Sequence, residues 1–376
     1  MDTPMRVLVS GGGTGGHIFP ALAIAKALQK RCPDIQLHFV GAQGRMEMTR
    51  VPAAGYSIEG LPVAGIDRKN PLKNLVVIAK LLKSFWAARS IIRRWRPQVV
   101  VGVGGYASAP TLQMAAWMGI PTLIQEQNSY AGVTNRILGR SAKCICVAYE
   151  GMQRFFSKDK IVLTGNPVRE ELVHAKARLV RDEAVAAMGL DPTKPVILVL
   201  GGSLGARSIN EGMMAGMHLI PQADVQVIWQ TGKYYHGQIV QRLAENTPMP
   251  MLQVKDFIPD MGLAYAAADL VVSRAGAGSI SELCLLEKPA ILIPSPNVAE
   301  DHQTKNAQAL TDRGAALFLA DKEAAVGKLL PLAIETVKDH ELLKKLSEQI
   351  RQMAKPEAAH EIAALVYSLA ENEMKS

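Results

Sequence analysis

Two series of short apolar runs constrain this chain more than any other feature. The first comprises residues 6–9, 36–40, 98–103, 121–124 and 144–148, closed by 161–164; the second comprises 195–200, 225–229, 251–254, 269–273, 289–293 and 315–319. The runs are rich in Val, Ile and Leu and too short for helices, and the sequence between them has helical spacing of apolar residues. Strands buried on both faces and separated by helices are the mark of parallel βαβ units. Two series therefore predict two doubly wound α/β domains, and a length of 376 residues exceeds what one core usually serves. The halves echo one another: VLVSGGGTGGH at 7–17 resembles LVLGGSLGARS at 198–208, each a strand entering a glycine loop that opens a helix. The connector is expected near TGNPVREE, 164–171, where Gly165, Asn166 and Pro167 stop a strand. That gives an N-terminal domain over 1–165 and a C-terminal domain from 170. Ligands of open α/β sheets sit at the carboxyl ends of the strands, so facing domains would share a cleft.

Composition removes several classes. With 48% hydrophobic and 20% charged residues the chain reads as soluble and globular. Val7–Val9 is too short for a signal peptide. Residues 97–125 carry no charge, but Gly102, Gly104, Gly105, Pro110, Gly119 and Pro121 break the stretch into strand, loop, helix and strand rather than a membrane span. Cys32, Cys144, Cys146 and Cys284 have neither zinc nor secreted-framework spacing, and Cys144 and Cys146 would share one strand face as small buried hydrophobes. This predicts a reducing cytoplasm. Charge is uneven: residues 1–165 carry 21 Lys and Arg against 8 Asp and Glu, while the remainder carries 21 against 26. The two halves are expected to meet different partners.

The glycine loops carry the chemistry. In SGGGTGGH, 10–17, Gly11, Gly13 and Gly16 fit the spacing of a dinucleotide loop. Such loops are usually paired with an acid after the second strand that holds ribose hydroxyls. Here that strand ends HFVGAQGR, and no acid follows until Glu47. The Lys-Ser/Thr ending of a nucleoside-triphosphate loop is missing too. What remains is flexible backbone at a helix N-terminus, suited to an anion, a sugar or an acceptor pyrophosphate. His17 ends the run; an imidazole there can take a proton from an attacking hydroxyl or cap its own loop.

GVGGYASAP at 102–110 presents Gly104, Gly105 and Tyr106, and GGSLGARS at 201–208 offers the Ser203 hydroxyl. In SRAGAGSISE, 273–282, Gly276 to Ser279 can present successive N–H groups at a helix start, where an anion gains roughly 0.3–1 kcal/mol from the dipole. Glu282 has two readings: acceptor for a ribose diol, or the third-position partner of a Ser279 N-cap in a capping box. Asp301, Gln303 and Asn306 in PSPNVAEDHQTKNA, 294–307, and Asn128 in QEQNSYAG suit sugar hydroxyls, with a solvated helix cap as the alternative.

Between Arg68 and Arg96 there are nine Lys and Arg and no acid. Leu75, Ile78, Leu82, Phe85 and Trp86 recur at helical spacing among Lys73, Lys80, Lys83 and Arg89. Such a helix can lie in the interface of an anionic membrane; the alternative is a stripe packed on the sheet with solvated charges outside. No nucleic-acid module accompanies the charge, so nucleic acid is not expected as a partner.

Together GGGTGGHIFPALAIA, GVGGYASAP, QEQNSYAGVTNR, TGNPVR, GGSLGAR, SRAGAGSISE and DHQTKNA, in this order from residue 11 to 307, resemble the MurG family of bacterial peptidoglycan N-acetylglucosaminyltransferases. The resemblance implies the GT-B fold, two Rossmann-like domains facing across a cleft, with the last helix, about 356–376, crossing back to the first domain and the second domain spanning 170–355. It implies transfer of GlcNAc from UDP-GlcNAc to the 4-hydroxyl of MurNAc in undecaprenyl-pyrophosphoryl-MurNAc-pentapeptide, lipid I to lipid II, on the cytoplasmic face of the inner membrane. The implied donor set is Thr14, Gly15, Gly16, Asn128, Arg169, Ser203, Ile258, Ala277, Gly278, Ser279, Ile280, Ser281, Glu282 and Gln303. Within it the main chain of Ile258 meets uracil, Glu282 the ribose, and Gln303 and Asn128 the sugar. Some members have two glutamines where this chain has His302-Gln303, so the sugar contact can shift by one residue. His17 is the expected base, and Gly13, Gly104, Gly105 and Tyr106 face acceptor and phosphate. With no Asp-x-Asp pair in a plausible loop, no cofactor or bound metal is expected. Partners are UDP-GlcNAc, the lipid-linked acceptor, an anionic membrane surface and, in the cell, other wall-synthesis proteins. The rivals are a UDP-GlcNAc 2-epimerase of similar fold and a non-catalytic membrane adaptor that senses nucleotide sugars.

Overall fold

A computed structural model describes residues 4–65, 74–202, 204–244 and 249–375. The chain forms two compact units, Met1–Arg169 with Lys355–Ser376, and Glu170–Ala354. The first is built on β1 (Arg6–Ser10), β2 (Gln36–Ala42), β3 (Ser57–Leu61), β4 (Val99–Gly102), β5 (Thr122–Glu126), β6 (Cys144–Val147) and β7 (Ile161–Leu163). These pair in parallel in the order β3-β2-β1-β4-β5-β6-β7. Helices α1 (Gly15–Arg31), α2 (Glu47–Ala53), α3 (Asn74–Trp95), α4 (Ser108–Trp117) and α5 (Val133–Leu138) connect them.

Strands buried on both faces need a helical layer on each side. On one side Ile24, Ala25 and Leu28 of α1 pack with Val7, Val9, Val99 and Val101 and with Ile362, Ala363 and Val366 of the C-terminal helix, Ala358–Lys375. On the other side Ala88, Ile91 and Ile92 of α3, Leu112 and Ala115 of α4, and Leu138 of α5 cover Leu8, Val100, Ile124 and Ile145. Cys144 and Cys146 are buried on one strand face. Residues 97–125 resolve into β4, α4 and β5.

The second unit repeats the plan with β8 (Val196–Leu200), β9 (Gln226–Gln230), β10 (Leu252–Lys255), β11 (Leu270–Ser273), β12 (Ala290–Leu292) and β13 (Leu317–Phe318), in parallel order β10-β9-β8-β11-β12-β13. The helices that matter below are α6 (Arg207–Gly216), α7 (Met261–Ala267), α8 (Ala277–Leu285) and α9 (His302–Thr311).

The apolar runs match the observed strands except at β3, which the sequence reading misses. β3 is an edge strand of sequence SIEGL, and an edge has no second neighbour and no need of a continuous apolar run. Its Glu59 carboxylate instead accepts from Arg94 at 2.6 and 2.7 Å and lies 3.0 Å from His38 Nε2.

In each sheet the strand order reverses next to the first strand, at β1/β4 and β8/β11, where open α/β folds place their ligands. At β1/β4 the two loops nearly touch: Gly12 N–H donates to the Gly104 carbonyl at 3.2 Å. Gly105 has φ +89°, and a Cβ there would lie 2.3 Å from the Gly12 carbonyl oxygen. Gly105→Ala is expected to cost about 1–3 kcal/mol, the usual range for local backbone strain, and thermal unfolding of the variant reads it. A wild-type midpoint would contradict so close an approach.

Candidate active site

β1 delivers Gly11, Gly12 and Gly13, whose N–H groups are all used inside the protein. Gly11 donates to Val40 O at 3.2 Å, Gly12 to Gly104 O, and Gly13 to Glu47 Oε2 at 2.8 Å. Glu47 opens α2 and is 1% exposed; its Oε1 accepts from Ala42 N–H at 2.9 Å. Gly12 is glycine for this reason, since a Cβ would fall 2.2 Å from that carboxylate. Sequence reasoning passed over Glu47 as too far along to hold a ribose. Its signal was an acid just beyond β2 in an acid-poor domain.

The open donors lie one step on. Among the described residues the N–H groups of Thr14, Gly15 and Gly16, at the start of α1, have no partner within the protein. His17 Nδ1 stands 3.0 Å from Gly12 O and 3.2 Å from Thr14 Oγ1. A carbonyl oxygen only accepts, so Nδ1 donates and a neutral ring keeps its lone pair on Nε2. The ring lies against Gly104, where a Cβ would come 2.9 Å from Nε2. Loop capping through Nδ1 and base chemistry through Nε2 are thus compatible.

β5 ends in Glu126, fully buried. Its Oε1 accepts from Asn128 N–H at 3.0 Å and Asn128 Nδ2 at 3.2 Å; its Oε2 accepts from Gly132 N–H at 3.1 Å and Asn135 Nδ2 at 2.8 Å. Burial pushes the Glu126 carboxyl above its ordinary range, against the pull of these four donors. The clamp fixes Asn128, and Gln127 ties the same loop to Val103 O at 2.6 Å. Tyr106 is exposed, and the Arg169 guanidinium lies 5.6 Å from the Phe19 ring of α1. The first unit therefore gathers Gly13 to His17, Gly104, Gly105 and Asn128 at the ends of β1, β4 and β5.

In the second unit the loop after β11 is anchored by residues the sequence reading did not single out. Arg274 donates to Ile293 O at 3.1 Å and Ser208 Oγ at 2.9 Å and pairs with Asp321. Gly276, extended at φ −70° and ψ 144°, is the N-cap of α8 and has no capping side chain. Among the described residues the N–H groups of Ala277, Gly278 and Ser279 have no partner within the protein. Ser279 is therefore a third helical position and not the cap, which removes the capping-box reading of Glu282. Glu282 stands half-buried on the second turn of α8 and accepts from Tyr265 OH of α7 at 3.0 Å. Ile280 is buried, Ser281 returns its hydroxyl to Ala277 O at 2.9 Å, and Ile258, buried, precedes α7.

Gln303 Oε1 accepts from Ser295 N–H at 2.9 Å, leaving its NH₂ group as the donor. One sugar candidate is corrected: Asn306 is fully buried and reaches Ala275 O at 3.4 Å, so it braces the loop; Asp301 is exposed at the start of α9 and accepts from Thr304 Oγ1 at 2.7 Å. Ser203 lies outside the described residues.

On α3, Leu82 is 59% and Trp86 72% exposed, with Ile78, Lys80 and Lys83 also exposed. Phe85 stacks on Trp117 of α4 at 5.2 Å, and Trp117 is itself 65% exposed. Among the described side chains of α3, those that pack on the sheet, Ala88, Ile91 and Ile92, belong to its later turns. The side chains of Lys73 and Leu75 are outside the described residues. A cavity of about 620 Å³ beside α5, lined by Arg136, Arg140, Arg154 and Lys160 among others, is separate from the glycine loops. Among the described residues no helix is long and apolar enough to cross a membrane.

Residues 7–147 match the glycosyltransferase family 28 N-terminal domain and residues 196–364 its C-terminal domain. Two Rossmann-like units with these matches define a two-domain glycosyltransferase of GT-B fold. The chain belongs to the family of UDP-N-acetylglucosamine–N-acetylmuramyl-(pentapeptide) pyrophosphoryl-undecaprenol N-acetylglucosamine transferases. It is 60% identical to one from Bacteroides fragilis over 98% of this chain and 96% of the relative. It is 59% identical to one from Phocaeicola vulgatus over 100% and 99%. Among solved structures, MurG of Acinetobacter baumannii superposes with a TM-score of 0.77 at 30% identity, covering 97% of this chain and 100% of that one.

Glu126→Gln replaces an acceptor oxygen by a donor facing N–H groups. It is expected to cost about 1–3 kcal/mol, measured as a lowered unfolding midpoint in urea; an unchanged midpoint would show that the clamp is not made by a carboxylate.

Proposed function

We propose that this chain transfers GlcNAc from UDP-GlcNAc to the 4-hydroxyl of MurNAc in undecaprenyl-pyrophosphoryl-MurNAc-pentapeptide, acting at the cytoplasmic face of the inner membrane. The observation that carries the reading is 60% identity, over nearly the whole of both chains, to a relative of that name. A UDP-GlcNAc 2-epimerase from Neisseria meningitidis has the same fold at 14% identity and a TM-score of 0.67, a likeness of fold alone.

On this reading the second unit binds the donor. The open N–H groups of Ala277, Gly278 and Ser279 receive the diphosphate at a helix N-terminus, and Glu282, held by Tyr265, accepts from the ribose diol. The main chain at Ile258 meets uracil, and Gln303 and Asn128 address the sugar. Ile280, Ser281, Ser203 and Arg169 complete the donor set. The first unit takes the acceptor pyrophosphate on Thr14, Gly15 and Gly16 and on the loop of Gly104, Gly105 and Tyr106.

An α-linked donor giving a β-linked product requires attack from the face opposite UDP. The acceptor 4-hydroxyl loses its proton to His17 Nε2 as its oxygen bonds to the anomeric carbon. The bond to UDP breaks, and its electron pair passes to the β-phosphate oxygen. There the α8 N–H groups and Arg169 stabilise the charge without a protein-bound metal. Ile78, Leu82, Trp86 and Trp117 enter the lipid interface, with Lys80 and Lys83 each adding roughly 1 kcal/mol near anionic headgroups.

UDP release from UDP-GlcNAc and a lipid I analogue tests the reading; formation of UDP-ManNAc without acceptor would point to the epimerase instead. Glu282→Ala is expected to raise the donor KM by roughly 10- to 100-fold, the worth of a charge-assisted hydrogen bond. His17→Ala is expected to lower kcat by about 10²–10⁴ while the donor KM stays near wild type, and lost donor affinity would make it a binding residue.

A further inference from the structure

The peptide unit joining Gly12 and Gly13 is engaged at both ends. Its N–H, belonging to Gly13, donates to Glu47 Oε2 at 2.8 Å; its carbonyl, belonging to Gly12, lies 3.0 Å from His17 Nδ1. Glu47 is 1% exposed and belongs to a different element from His17, 30 residues along the chain. Hydrogen bonds in a chain polarise one another: an anion accepting from a peptide N–H makes that peptide's carbonyl a stronger acceptor. A stronger acceptor at Gly12 holds the Nδ1 proton more firmly and leaves more electron density on Nε2.

We infer that Glu47 is a positioning residue for the transfer reaction, acting through the Gly12–Gly13 peptide to fix the His17 tautomer and raise the basicity of Nε2. The inference rests on the reading of His17 as the base. It adds a role to the bracing in which Oε1 and Oε2 accept from the Ala42 and Gly13 N–H groups. The other buried carboxylate of this loop cluster, Glu126, is spent on its own four N–H donors. Gly12 and Gly41 leave room for the arrangement, since a Cβ at Gly41 would come 2.5 Å from Glu47 Cγ.

The test compares Glu47→Gln, Glu47→Asp, His17→Ala and the Glu47→Gln/His17→Ala double variant in the full chain, with UDP-GlcNAc and a lipid I analogue. Glu47→Gln is expected to lower kcat roughly tenfold, about one charge-assisted hydrogen bond, with both KM values near wild type. It is expected to move the acid limb of the kcat/KM profile to lower pH, the direction in which losing a relayed negative charge weakens a base. Glu47→Asp should recover part of the kcat.

In the His17→Ala background Glu47→Gln should add nothing, because both act on one group. ¹⁵N NMR of labelled histidine, assigned by the His17→Ala spectrum, should show the Nδ1–H tautomer in the parent and a mixture in Glu47→Gln. Raised KM values with an unmoved acid limb would reduce Glu47 to a brace and overturn the inference, as would additive losses in the double variant or an unchanged tautomer. A wild-type kcat for His17→Ala would overturn the base assignment itself, whereas the other negative outcomes leave that assignment standing.

Discussion

At the point where strand order reverses, two loops must pass each other closer than any side chain allows. A Cβ on Gly11 would meet Val103 at 2.2 Å, and one on Gly105 would meet the Gly12 carbonyl at 2.3 Å. In the second unit a comparably close approach lies on the other side of the first strand, between the loops after β8 and β9, where a Cβ on Gly232 would fall 2.1 Å from Gly205 N. Such contact is possible only where the backbone groups are satisfied: Gly12 N–H donates across it to Gly104 O, while Gly11 N–H goes to Val40 O and Gly13 N–H to Glu47 Oε2. The donors left over are those of the first helical turn, which no i−4 carbonyl can reach. The loop glycines keep no N–H group of their own open; by closing the loop they set the helix N-terminus, whose N–H groups are left.

The two units share this plan and differ in where they put a carboxylate. In the first, Glu47 lies beneath the loop, shielded from solvent and engaged by two backbone N–H groups. In the second, Glu282 stands half-buried on α8 and accepts from the Tyr265 hydroxyl. On the proposed function the half-buried carboxylate is the one that meets the ribose, and the shielded one stays with the loop.

Much of this was legible in the sequence, because buried parallel strands are continuous apolar runs and glycine loops announce strand ends. The doubly wound class and twelve of the strands follow from that pattern. β3 did not, since an edge strand alternating Ser57, Glu59 and Leu61 carries no such run. The helix start at Gly276 stood as one of two readings: Ser279 and Glu282 satisfy a capping box by spacing alone, and the extended Gly276 backbone places the cap three residues earlier. Asn306 looked like a sugar ligand because polar residues in a loop-to-helix stretch look alike until burial separates them. Glu47 was hidden for a different reason. Its partners are main-chain groups, and no residue type in the sequence marks a backbone N–H that will need an acceptor.

The exposed face of α3 follows from where its burial stops. Ala88, Ile91 and Ile92 reach the sheet, while the turns before them run past its edge of cover and leave Ile78, Leu82 and Trp86 in solvent with Trp117 alongside. A large apolar side chain gains about 1.5–3 kcal/mol when fully buried, so several left out together are a cost that an ordinary soluble surface would shed by substitution. The charges around them, Lys80, Lys83 and Arg89 with no acid between Arg68 and Arg96, would repel a second copy of the same face and attract an anionic one. On the proposed function, apolar residues ringed by cations of one sign would enter the headgroup region of an anionic bilayer beside the lipid-linked acceptor.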